Sequence, residues 1–249
     1  MNKKELIKQL RQDMEGCRSC NLHEARNKIV HGRGCLIGRP APIMLIGQAP
    51  GGEEDDVGVP FIGPAGELLM EALLNLFPHD PRFQELMPRK AGDRIDFTTL
   101  RKMLEEIFWF SNMVLCWPPE DRQPATAETN ICRERLMREI NIVDPVLIIT
   151  LGRIAHNRLT KQNIAITDAR GKLYEIEVPG QTQPVRYNVY ATYHPSYIGR
   201  MQDYEDEKGK AREWFGDLTE AMQIVDQLNK LTFGDDLPDR EEDVEDAGA

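Results

Sequence analysis

The chain has 249 residues, 41% of them hydrophobic, enough for one large α/β domain or two small ones with an ordinary core. No apolar run reaches the length of a membrane span, and the opening MNKKELIKQLRQDME is too polar for a secretory leader, so a cytoplasmic protein is expected. The formal net charge of −10 argues against a uniformly basic protein, but eight acids against the single base Arg240 lie beyond residue 233, leaving −3 on residues 1–233. Residues 234–249 have little to bury and read as a disordered acidic tail. A near-neutral body can still present a local basic groove, so charge leaves nucleic acid open as a partner.

In chain order, residues 3–15 read as a helix with Leu6, Ile7, Leu10 and Met14 on one face. Ile43–Ile46 is a short apolar run ending at Gly47, as in a buried parallel strand feeding a loop. Residues 67–77 are helical. Residues 78–100 carry prolines and charges with little periodicity and read as an inserted loop. Phe108–Cys116 reads as a second strand, and Thr126–Val143 as a helix with Thr126 as N-cap behind Pro124. Val146–Leu151 is the clearest strand, followed at Gly152 by a helix over 153–160. Leu173–Val178 alternates as a half-exposed strand, Val185–Tyr193 is another, and a helix over 205–230 closes the domain. Strands alternating with helices predict a three-layer α/β fold, a mostly parallel sheet with helices on both faces.

Five cysteines in a chain of this kind argue against a disulfide framework. Cys17 and Cys20 form a C-x2-C pair, and Cys116 and Cys132 are separated by fifteen residues, with Cys35 outside both spacings. Spacing alone leaves open a four-thiolate metal site, zinc ahead of iron–sulfur, and buried cysteines that bind nothing. In parallel sheets ligands sit beyond the carboxyl ends of the strands. Three strand ends here carry unusual polar sequence: GQAPGGEEDD after Ile46, SNMVLCWPPEDR around Cys116, and YHPSYIGR after Thr192.

Together these segments resemble the family 4 uracil-DNA glycosylases, the iron–sulfur branch of that superfamily. The resemblance runs in order through roughly residues 14–230. It includes C-x2-C-x-L, then Arg26 and Val30–Gly32, then GQAPGGEEDDVGVPFIGPAGELL, SNMVLCWPP, Cys132, VLIITLGRIA, ARGK and HPSYIGR. It implies a [4Fe–4S] cluster on Cys17, Cys20, Cys116 and Cys132, acting as a structural staple. It also implies monofunctional chemistry: hydrolysis of the N-glycosidic bond of deoxyuridine in single- or double-stranded DNA, leaving an abasic site, with no membrane partner and a monomer expected.

Each implied role has a physical basis. The target base must leave the stack to be reached. Phe61, in a rigid Gly-Pro loop, would be its stacking floor, although a phenylalanine in any chain is more often core. The Asn112 amide can donate to uracil O4 and accept from N3–H, the opposite of cytosine's pattern. His194 would donate to O2 of the departing anion. Gly47, Ala49 and Ser196 would line the base pocket. Gly51, Gly52, Pro118 and Pro119 would pinch the phosphate backbone, and Tyr197–Arg200 would enter the minor groove.

The chain departs from the family pattern at Gln48, where Glu is usual, and at Val59, Trp117 and Asp121, where Arg, a basic residue and Asn are common. Gln48 can hold a water but carries no charge for the sugar cation, which makes Glu54 in the same loop the expected water-handling acid. The stretch Ala169–Tyr174 lacks the His that relatives trapping DNA covalently require. Two other readings stay open from sequence: a protein on this fold that binds uracil or a modified thymine without cutting, and a four-cysteine scaffold that docks proteins through its acidic tail.

Overall fold

A computed structural model describes residues 2–36, 42–88, 93–180, 182–201 and 207–233. The chain opens with α1 (Lys3–Met14), started by a capping box in which the Asn2 side chain accepts from Glu5 N and the Glu5 side chain accepts from Asn2 N. A two-residue edge strand, β1 (Arg33–Gly34), precedes β2 (Ile43–Gly47). Three helices follow: α2 (Gly52–Val57), α3 (Pro64–Leu74), which begins on Pro64 rather than near 67, and α4 (Pro81–Gln84). The stretch expected to be loop over 78–100 holds α4 and the start of α5 (Phe97–Leu104), and it sends Phe83 and Leu100 into the core.

Strand β3 spans Phe108–Asn112, four residues shorter than its apolar run suggests. Beyond Asn112 the main chain turns to bond the neighbouring loop, Met113 N donating to Gly47 O and Val114 N to Gln48 O. Helix α6 (Thr126–Val143) is capped by Ala125, not by Thr126 as expected. Glu128 reaches back to accept from Ala125 N, so the acid does the work assigned to the hydroxyl. There follow β4 (Leu147–Leu151), α7 (Gly152–Thr160), α8 (Ile166–Ala169), β5 (Leu173–Val178), β6 (Val185–Thr192), α9 (Pro195–Arg200) and α10 (Glu207–Phe233).

The sheet order is β1-β3-β2-β4-β6-β5, with the four central strands parallel and both edges antiparallel. Side chains alternate across it. Leu45, Phe110, Ile149 and Tyr190 face a core closed by α3, α5, α9 and α10. Met44, Ile46, Trp109, Ile148 and Val189 face the opposite core, closed by α1, α6 and α7. This is the expected three-layer α/β architecture. It brings the carboxyl ends of β2, β3, β4 and β6 to one rim. Among the described residues no helix is long and apolar enough to cross a membrane.

Candidate active site

That rim holds a cleft of about 700 Å³, lined by the loop after β2, the end of β3, the turn after Pro118 and the segment after β6. Gln48, Ala49, Glu54, Phe61, Asn112, His194 and Ser196, all expected at the site from sequence, line this one cleft. Gly47, also expected there, is not among the lining residues; its lack of a side chain makes room for two that are. A Cβ there would lie 2.4 Å from Asn112 Oδ1 and 3.0 Å from Phe61 Cζ, so amide and ring meet above a bare main chain.

Phe61 is almost fully buried, and its ring centroid lies 6.0 Å from that of Phe110. Its φ is +56°, a left-handed conformation that costs a bulky residue about 1–3 kcal/mol. Two neighbours hold it there. Arg101 Nη2 donates to the Phe61 carbonyl, and Glu54 Oε1 accepts from Ile62 N (3.0 Å) and Gly63 N (2.9 Å). The other Glu54 oxygen accepts from Gly51 N at 3.0 Å. Glu54, the expected water-handling acid, thus has both oxygens engaged with three main-chain N–H groups and ties the two ends of its loop together. The adjacent Asp55 is 1% exposed and accepts from Asn27 N and Lys28 N, fastening the N-terminal segment to the same loop.

His194 follows β6 and is half-buried. Ser196 N donates to its Nδ1 at 3.2 Å, and the Ser196 hydroxyl lies 2.8 Å from the same nitrogen. A main-chain N–H can only donate, so Nδ1 is the acceptor and the proton of the neutral ring sits on Nε2. Burial, reinforced by Arg200, lowers the His194 pKa to about 4, so the ring is neutral at pH 7. Gly152, at φ +85°, lets β4 pass close beneath, since a Cβ there would sit 2.9 Å from His194 Cβ. The motif residue Ser196 therefore orients the histidine.

Two of the sequence departures bond to each other: Trp117 Nε1 donates to Asp121 Oδ1 at 2.7 Å. Positive charge at the cleft comes from Arg122, Arg153 and Arg200. Arg122 is also paired with Glu128 at 2.7 Å. Arg170, in the ARGK segment, pairs with Asp217 of α10 and lies over the Tyr193 ring, 5.2 Å from its centroid. Tyr197 packs on the same ring, at 5.2 Å between centroids.

The four cysteines expected to bind a cluster are all half-buried. Burial pushes the Cys116 thiol up; Arg26 opposes this, and nearby Cys132 and Cys20 add to it. Burial likewise raises Cys20, with Cys132, Glu128 and Cys17 adding to it. Cys20 thus lies within electrostatic reach of Cys17, Cys116 and Cys132. Arg26 Nη1 donates to Cys116 Sγ at 3.2 Å and its Nη2 to Cys17 O at 2.6 Å; Arg135 Nη2 lies 3.7 Å from Cys132 Sγ. Among the described residues no group of three or more His, Cys, Asp or Glu is placed to hold a single metal ion. An all-sulfur donor set with two guanidinium groups beside it fits the chemistry of an iron–sulfur cluster.

A profile of the uracil DNA glycosylase superfamily matches residues 37–218. The chain belongs to that superfamily. It is 30% identical over 212 residues to the type-4 uracil-DNA glycosylase of Archaeoglobus fulgidus, covering 82% of this chain and 90% of that one. It is 31% identical over 204 residues to the type-4 enzyme of Thermotoga maritima, covering 82% and 88%. It is 30% identical over 198 residues to that of Pyrobaculum aerophilum, covering 78% and 85%. The profile's span takes in all three strand-end motifs, and the type-4 relatives agree with the family 4 resemblance of those segments.

Sequence reasoning left several working residues without a role. Arg101, Asp55 and Arg135 looked like helix or loop charges, because nothing in a single sequence separates a charge that bonds buried main chain from one that faces water. Arg170 stood in a quoted motif, and its signal was that motif alone.

Proposed function

We propose that this protein hydrolyses the N-glycosidic bond of deoxyuridine in single- or double-stranded DNA, releasing uracil and leaving an abasic site for base-excision repair. The observation that carries this reading is the meeting of Asn112, Phe61 and a neutral, Nε2-protonated His194 in one cleft. The flipped uracil stacks on Phe61, and the Asn112 amide donates to O4 and accepts from N3–H. As the bond lengthens, charge moves to O2, where the His194 Nε2–H donates to it. A donor fixed in advance for that charge lowers the barrier without reorganising.

The attacking water belongs to the loop after β2. Gln48 orients it through its amide, and Glu54 supplies negative charge from a fixed position while holding the loop's shape. No amine nucleophile is needed, so the reaction stops at the abasic site. Residues 1–233 act as one catalytic domain of a monomer; the acidic stretch 234–249 lies outside the described residues. Arg122, Arg153 and Arg200 supply positive charge for phosphates.

Cys17, Cys20, Cys116 and Cys132 would hold a [4Fe–4S] cluster. Its contribution when bound is structural, linking the N-terminal segment to the turn after β3 and to α6. Purified protein is then expected to be yellow-brown, with about four irons per chain. Colourless protein with one zinc would remove the cluster.

The deciding experiment is single-turnover release of uracil from a labelled oligonucleotide. Release with an alkali-sensitive abasic product supports the reading. Tight binding of uracil-containing DNA without release would instead mark a non-cleaving binding protein.

A further inference from the structure

Arg135 touches neither the cleft nor solvent. It is 5% exposed on α6, one turn beyond Cys132 and behind the end of β3. Its Nη2 donates to the main-chain oxygens of Asn112 (2.9 Å) and Met113 (3.2 Å) and lies 3.7 Å from Cys132 Sγ. Its Nη1 donates to Ser111 Oγ at 3.4 Å and to the carboxylate of Glu139. Glu139 in turn accepts from Trp109 Nε1 (2.9 Å) and Ser111 Oγ (2.8 Å). One planar group thus reaches three consecutive residues of the strand end and one cysteine.

Stability alone does not call for this arrangement. The neighbouring residues of α6 that enter the core are apolar, namely Leu136, Met137, Ile140 and Val143. A buried ion pair among such residues is often no better than apolar packing of the same volume. Arg135 Nε is also buried without a partner, a further cost. What the guanidinium supplies that apolar packing cannot is a fixed set of directed bonds.

We infer that Arg135 is a positioning residue that ties the four-cysteine site to the base-reading amide, by donating from one guanidinium to Cys132 Sγ and to the main chain of Asn112. The inference rests on the roles proposed for the cysteines and for Asn112. Clearance at Asn112 is small, because its Oδ1 already sits where a side chain on Gly47 would begin. A shift of a few tenths of an ångström in the strand end therefore changes how the amide meets the base. An N–H donated to a ligand sulfur also tunes a cluster's electronic properties.

The test uses the full-length, cluster-loaded protein and R135K, which keeps the charge but cannot reach all these acceptors from one ammonium. Single-turnover uracil release is expected to fall tenfold or more while the half-saturating DNA concentration changes less than twofold. The electron paramagnetic resonance signal of the reduced cluster is expected to shift at unchanged iron content. Unchanged release, or slower release with an unshifted cluster signal, overturns the tie. If R135K does not fold, the double variant R135Q/E139Q, which removes both charges together, is read by the same criteria. Absence of uracil release or of iron in the unaltered protein would instead remove the reading on which this rests.

Discussion

The ends of β3 and β6 face each other across the cleft and are held in different ways. Asn112 is held through its main chain: its carbonyl accepts from Arg135, and the next two residues bond the loop after β2. His194 is held through its side chain, by Ser196 on one ring nitrogen. The strand leading to it is fixed by Thr192 Oγ1 donating to Asp217 at 2.7 Å, and Asp217 is paired with Arg170. The difference suits the two tasks proposed for these residues. Telling uracil from cytosine depends on where an amide lies, which the main chain sets. Stabilising a departing anion depends on which nitrogen carries the proton, which a side-chain partner sets.

The largest expected effect separates the two ends. His194→Ala should lower single-turnover release by roughly 10²–10³, about 3–4 kcal/mol, with little change in DNA affinity. A loss below tenfold would mean that the β6 end does not expel the base. Asn112→Asp should lower uracil release about a hundredfold, because a carboxylate repels O4, and should bring weak release of cytosine, whose amine it can accept from. Lost uracil release with no gain of cytosine release would assign Asn112 a structural part only.

A smaller effect tests the brace beneath both ends. Glu54→Gln keeps the shape but turns an amide N–H₂ toward main-chain donors. The loss of charged acceptors should cost about 1–3 kcal/mol of stability and slow release about tenfold. Urea denaturation and single-turnover kinetics on the same sample check both. Slowed release with unchanged stability would favour direct water handling by Glu54.

The smallest effect appears as a pH slope. Burial lowers His31, His156 and His194 to about 4, with Arg11 and Arg135 assisting at His31 and Arg200 at His194. In the unfolded chain these rings take protons near pH 6.5. Between about 6.5 and 4 the unfolded state therefore binds more protons, so their contribution is complete above 6.5 and is lost as pH falls toward 4. Fully buried His156 should contribute a slope of up to about 1.4 kcal/mol per pH unit, and the half-buried pair less. Denaturant midpoints at pH 7 and 5 give the slope, and His156→Gln should flatten it. An unchanged slope would show that His156 keeps its proton on folding.

The parts legible in the sequence share a physical cause. Ile43–Gly47 and Leu147–Leu151 are central strands buried on both faces, so their runs are apolar but for Thr150 and their ends sharp. Phe108–Cys116 is equally apolar, but its last residues bond a loop instead of a strand, which hydrophobicity cannot report. Helices α2 and α9 escaped because each is six residues long within glycine- and proline-rich sequence. The three strand ends were readable as polar sequence after apolar runs, and the family resemblance of those segments implied which residues in them face the cleft. Arg135 and Glu139 were not, since a pair four apart on a helix looks the same whether water or a strand lies over it.

The docking of α1 on α6 also sets an order of events during synthesis. Lys3 Nζ donates to Val143 O, and Asp13 pairs with Arg138, across more than a hundred residues of chain. Helix α1 thus waits for a surface translated seconds later, and until then its apolar stripe of Ile7 and Leu10 is uncovered. A pause in translation before residue 143 would lengthen that exposure, leaving α1 open to chaperones and proteases in the nascent protein.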